Sequence, residues 1–95
     1  MAKKLSPIHP GEVLRSEFME PLGLSANALA LALRGPANRI TAIVNGTRGV
    51  TGDTALRLSR RFGTTPGFWM NLQASYDLAV AEDLKGDIIA RDVIP

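Results

Sequence analysis

SANALALALRGPANRITAIVNGTRGVTGDTALRLSRRF, from Ser25 to Phe62, is the stretch whose reading decides the fold. It opens on Ser25, whose hydroxyl suits a helix cap, and sets Leu29 and Leu33 four residues apart on one helical face. Arg34, Gly35 and Pro36 then break the helix. Gly35 is the residue suited to a positive φ, and Pro36, with its fixed φ and no N–H, is expected at the first position of the next helix. That helix puts Ile40, Ile43 and Val44 on one side and Asn38, Arg39, Thr41 and Ala42 on the others, before Asn45 and Gly46 end it. After the Gly46 to Gly49 loop, Thr51 or Asp53 can cap a further helix. It turns Ala55, Leu56, Leu58 and Phe62 inward and Arg57, Arg60 and Arg61 mostly outward, and stops at Gly63.

Two short helices joined by a tight turn and clamped by a third are the layout of a helix-turn-helix reader of duplex DNA, and the charge follows that layout. The formal net charge of +2 conceals an uneven distribution. Up to residue 24, Lys3, Lys4 and Arg15 balance Glu12, Glu17 and Glu20. Residues 25–65 hold six arginines against Asp53 alone, a net of +5. Residues 66–95 hold Lys85 and Arg91 against five carboxylates, a net of −3, so this end is expected to avoid DNA. Arginine's planar fork grips phosphate or guanine bidentately, where lysine acts as a point charge. The competing reading is a solvated basic face. On the outer face of the second motif helix, Arg39 can meet guanine O6 and N7, Asn38 can pair with adenine, and Thr41 can meet a base edge or a phosphate. Each good pair contributes about 1–3 kcal/mol of discrimination. One copy offers few such contacts, so useful specificity calls for two copies on half-sites about one helical turn apart.

Ninety-five residues, 45% hydrophobic and 21% charged, describe one soluble domain. The absence of cysteine excludes disulfides and thiolate metal sites, and His9 alone cannot complete a zinc site, so no metal or cofactor is expected. No apolar run approaches the length of a membrane span or of a signal-peptide core, which makes the cytoplasm the default location. The chain divides into an N-terminal arm (residues 1–9), an all-α domain of five helices (10–84) and a short tail (85–95). The first helix is expected from about Pro10 to Met19, stopped by Pro21, with Leu22 and Leu24 dropping into the core. The last is expected from Thr65 and Pro66 to about Leu84, with Gly86 breaking it. Phe68, Trp69, Leu72, Tyr76 and Val80 populate more of its circumference than one core-facing stripe needs. They either close a small core or form a dimer interface. Catalysis has little to work with: Ser6 and His9 lack a third group and an oxyanion donor, and the glutamates of the first helix read as a solvated face.

Four stretches bear a family resemblance: IHPGEVLRSEFMEPLGLS (Ile8 to Ser25), NRITAIVNGTRGVTGDTALRLSRRFGT (Asn38 to Thr64), TPGFWMNLQASYDL (Thr65 to Leu78) and the Ile-rich end. With them the chain resembles the short HigA (VapI-like) antitoxins, which have an XRE, lambda-repressor-type helix-turn-helix. The resemblance implies a homodimer that binds double-stranded operator DNA, represses its own operon and neutralises a HigB-type toxin, an mRNA endonuclease. It points to Ala37, Asn38, Arg39, Thr41 and Ala42 for base reading, and to Ser25, Asn27, Pro36, Asn45, Thr47 and Arg48 for the DNA backbone. The toxin is assigned to the N-terminal segment and first helix, at Glu12, Arg15, Ser16, Glu17 and Glu20, because an RNA-cutting partner should be basic, with Asp77, Glu82 and Asp83 as the alternative docking site. Two positions depart from the family pattern: Ala26 stands where a glutamine is common, and Arg34-Gly35 where Gly-Val is usual. The alternative is a stand-alone XRE-type regulator without a toxin.

Overall fold

His9 starts the first helix: its Nδ1 accepts the Gly11 N–H at 2.9 Å, and Pro10 follows at the first helical position. In the computed structural model, which describes residues 7–95, helix α1 consists of an α-helical turn Pro10–Val13, a π-helical stretch Leu14–Met19 and a last turn Glu20–Leu22. Pro21 therefore does not stop this helix. In the wider π turn the Glu20 N–H reaches back to the Arg15 carbonyl, which shifts the ladder off the i−4 carbonyl that a proline ring would strike. Gly23 ends α1 at φ 65°. Leu22 is the last helical residue and is 58% exposed, against the expectation of burial, whereas Leu24 packs on the core.

Helices α2 (Ala26–Leu33) and α3 (Ala37–Val44) form the helix-turn-helix, and α4 (Gly52–Phe62) closes over it. Ser25 and Thr51 cap α2 and α4 as the sequence suggests. The turn differs by a residue. Arg34, not Gly35, takes the left-handed conformation (φ 58°, ψ 40°), and Pro36 caps α3 from outside with ψ 139°. A non-glycine residue there costs about 1 kcal/mol. Arg57 of α4 offsets it, donating from Nη1 to the carbonyls of Leu33 (2.8 Å) and Arg34 (3.4 Å). Leu56 is 61% exposed rather than inward, because it lies about 100° around α4 from the Ala55–Leu58–Phe62 stripe.

The core joins Leu14 of α1, Leu29 and Leu33 of α2, Ile40 and Ile43 of α3, Leu58 of α4 and Trp69 of α5 (Pro66–Asp92). Gly86 does not break α5: a single glycine costs only about 1 kcal/mol against alanine in a helix interior, and the helix runs six residues beyond it. Residues 85–92, expected in a tail, are thus helical, and only Val93–Pro95 lie outside. A helix of this length outruns the domain. The radius of gyration is 15.6 Å, above the roughly 12 Å of a rounded domain of this size.

Candidate nucleic-acid interface

Packing α3 through Ile40 and Ile43 leaves Asn38 and Thr41 exposed on its far side, with Arg39 and Ala42 half-buried at its edges. Thr41 donates its hydroxyl to the Ala37 carbonyl at 3.1 Å, which leaves its methyl group and oxygen lone pairs for a partner. The Ala42 carbonyl organises the loop after α3, accepting the N–H groups of Thr47 (2.9 Å) and Arg48 (3.2 Å) and the Thr47 hydroxyl (3.2 Å). Thr47 therefore has both of its donors turned inward, which removes it in this conformation from the phosphate-binding set where the sequence put it. Arg48 is exposed. Ser25, Asn27, Pro36 and Asn45 are exposed around the motif, with Ser25 Oγ accepting the Ala28 N–H at 3.1 Å.

Asp53, the one carboxylate of the basic segment, sits at the positive end of α4 and accepts from Arg57 Nε at 2.7 Å. Arg39 Nη1 lies 3.7 Å from the same oxygen. The hydrogen bond from Arg57, with the charges of Arg57 and Arg39, outweighs desolvation and holds the Asp53 carboxyl below its ordinary range. Arg39, Arg48, Asp53 and Arg57 line a cleft of about 290 Å³ between α3 and α4. Of the outward arginines expected on α4, Arg57 is committed to the turn and Arg61 lies over the Phe62 ring at 5.5 Å.

Two residues that position this face escaped the sequence reading. A Cβ on Gly11 would overlap the Ile43 carbonyl oxygen, so only glycine lets α1 seat its first turn on the end of α3. The signal was a glycine inside a helix start. Gln73 of α5 accepts the Val50 N–H at 2.7 Å and donates to Asp77 at 2.9 Å, pinning the loop that presents Arg48. Its signal was a polar residue in the core-facing stripe of Trp69, Leu72 and Tyr76.

The two protein-contact sets fare differently. Glu12, Arg15, Ser16, Glu17 and Glu20 are all exposed on α1, where the π turn brings Arg15 and Glu20 within 4.0 Å. Trp69, in contrast, is fully buried, its Nε1 donating to Thr64 Oγ1 at 2.8 Å, and cannot belong to a dimer interface. Leu72 packs on the core, Tyr76 sets its ring against His9, and Phe68 stacks edge-on to Trp69, while Val80 is half-buried. Phe68 and Met70 keep 38% of their surface exposed, and the more exposed apolar residues of α5 lie further along, at Leu78, Leu84, Ile88 and Ile89.

The helix-turn-helix family HTH_3 matches residues 16–69. Virulence-associated protein I of Dichelobacter nodosus is 52% identical over 85 residues, which span 90% of this chain and 79% of that protein. An addiction module antidote protein of a HigA family from Coxiella burnetii superposes with a TM-score of 0.92 at 52% identity, covering 96% of this chain and 99% of that one. This chain belongs to the HigA family. A second HigA, the Pseudomonas aeruginosa antitoxin solved with the higBA promoter, matches at 46% identity and a TM-score of 0.92 over 94% of this chain and 97% of that one. Ala26, where a glutamine is common in the family pattern, is half-buried on the core and offers no side-chain donor, while Ser25 and Asn27 beside it are exposed. No described helix of this HigA-family chain is long and apolar enough to cross a membrane.

Proposed function

We propose that this HigA-family chain binds operator DNA as a dimer, with α3 in the major groove, represses its own operon and neutralises a HigB-type toxin. The observation that supports this most is the outer face of α3. Asn38 and Thr41 stand exposed there between Arg39 and Arg48, and the carboxylate of Asp53, which would repel a phosphate, is neutralised by two arginines. Asn38 and Arg39 are the base readers, Arg48 and the first turns of α2 and α3 meet phosphate, and Ala37 and Ala42 allow close approach. The P. aeruginosa relative, solved with its promoter, favours the same use of this surface. The reading is one of binding and not of catalysis.

Copies pair through the C-terminal half of α5, where Leu84 and Ile88 lie one turn apart and Leu78 and Ile89 three turns apart, all exposed. The toxin docks on the glutamates of α1, away from α3. Fluorescence anisotropy with a duplex from the chain's own promoter and a scrambled duplex tests the central claim. Arg39→Ala should lose about 1–3 kcal/mol of preference for the promoter; an unchanged preference would remove Arg39 from base reading. Charge reversal at Glu17 and Glu20 should slow toxin association at low salt and leave promoter binding intact.

A further inference from the structure

We infer that Asp53 is a positioning residue for base reading: it fixes the guanidinium of Arg39 and ties it to the turn of the motif, so that specificity depends on a carboxylate that itself touches no base. The inference rests on the base-reading role proposed for Arg39. Three observations carry it. Asp53 Oδ1 is shared, with Arg57 Nε at 2.7 Å and Arg39 Nη1 at 3.7 Å. Arg57 in turn holds the carbonyls of Leu33 and Arg34, so the end of α2, the start of α4 and the reading side chain of α3 form one connected polar chain. The arrangement also leaves the right edge of Arg39 available. With Nη1 turned to Asp53, the parallel Nε–H and Nη2–H donors remain as the fork that a guanine O6 and N7 require.

The alternative roles for an acid in this place are to favour the α4 dipole or to support the turn alone. Both would appear as stability without base preference. Electrostatics on a phosphate-facing surface supplies a second contrast. A carboxylate there weakens binding to any duplex, so removing it should raise affinity for non-cognate DNA while lowering discrimination.

Asp53→Asn keeps an oxygen for the Arg57 hydrogen bond and removes the charge that holds Arg39. It should lower the promoter-to-scrambled preference about two- to fivefold, the scale of a partly exposed ion pair, with scrambled-duplex affinity equal or higher. The loss should concentrate on one guanine position, the same one whose replacement abolishes the Arg39→Ala effect. Added to Arg39→Ala, Asp53→Asn should change the preference no further. Asp53→Glu, which keeps the charge, should retain more preference than Asn. The inference is overturned if Arg39→Ala loses preference and Asp53→Asn does not, if Asp53→Asn costs as much without Arg39 as with it, or if the losses across both Asp53 variants track their thermal midpoints. An unchanged preference in Arg39→Ala itself would overturn the base-reading assignment first, and this inference with it.

Discussion

The helix-turn-helix and the far half of α5 are both helical, amphipathic and charged, and they use their apolar residues in opposite ways. Between Ser25 and Phe62, Leu29, Leu33, Ile40, Ile43 and Leu58 are all buried, and apart from Leu31 and Leu56 the large side chains that stay exposed are polar or charged. Beyond Tyr76, Leu78, Leu84, Ile88 and Ile89 stay between 47% and 72% exposed on a helix that carries an excess of acid. A short helix held on two sides can hide its apolar stripe within its own domain. A helix that outruns the domain leaves apolar residues exposed, which is the basis for proposing that a second chain covers them. The contrast also sorts the charges: cations surround α3, the helix proposed to read bases, and carboxylates lie along α5.

Substitutions can break or sharpen this contrast. The largest effect is expected at Trp69, fully buried where the two regions meet: Trp69→Ala should cost about 3–5 kcal/mol in denaturant unfolding, and a folded but monomeric product would return Trp69 to the interface. Next comes Gly11→Ala, whose methyl would strike the Ile43 carbonyl; it should lose about 1–3 kcal/mol, also read by unfolding. Leu84→Asp with Ile88→Asp should leave helicity and the thermal midpoint of the monomer near wild type. It should weaken self-association at least about tenfold in sedimentation, roughly 1.4 kcal/mol. A folded, unchanged dimer would place the interface elsewhere.

The arginines give a smaller effect. Arg48→Ala should flatten the slope of log affinity against log salt by about one unit. Arg57→Ala should barely move it and should instead lower the thermal midpoint, since its donors serve the α2–α3 turn. The smallest effect concerns acid. Asp53 has a depressed carboxyl when folded, so its link to Arg57 and Arg39 is complete above the ordinary value of 3.8 and is lost as pH falls below it. The thermal midpoints of wild type and Asp53→Asn should differ by a constant amount from pH 5 to 8 and converge only in stronger acid.

Much of the reading region was legible because its signals are local. A hydroxyl cap at Ser25 or Thr51 and a left-handed glycine at Gly63 each act within one turn of backbone. The misreadings divide between one that needed a distant partner and others that lie in the helix geometry itself. Arg34 takes the positive φ for which Gly35 is better suited because Arg57, 23 residues on, binds the carbonyls around it. Pro21 is tolerated because the preceding turns widen into a π-helix. Leu22 and Leu56 read as core by hydrophobicity alone and are exposed by their angle on the helix.

The sequence by itself determined the order of helices α2 to α4, the concentration of arginine around α3 and the HigA resemblance, since periodicity, capping and motif spacing are written in consecutive residues. Only the tertiary structure decided that Trp69 belongs to the core, that Thr47 turns its donors inward, that Gly11 is the point of closest approach to α3, and that Asp53 joins Arg39 to Arg57. Burial and side-chain pairing depend on which surfaces meet in space. A one-dimensional pattern fixes the face a residue occupies, but not what stands opposite that face.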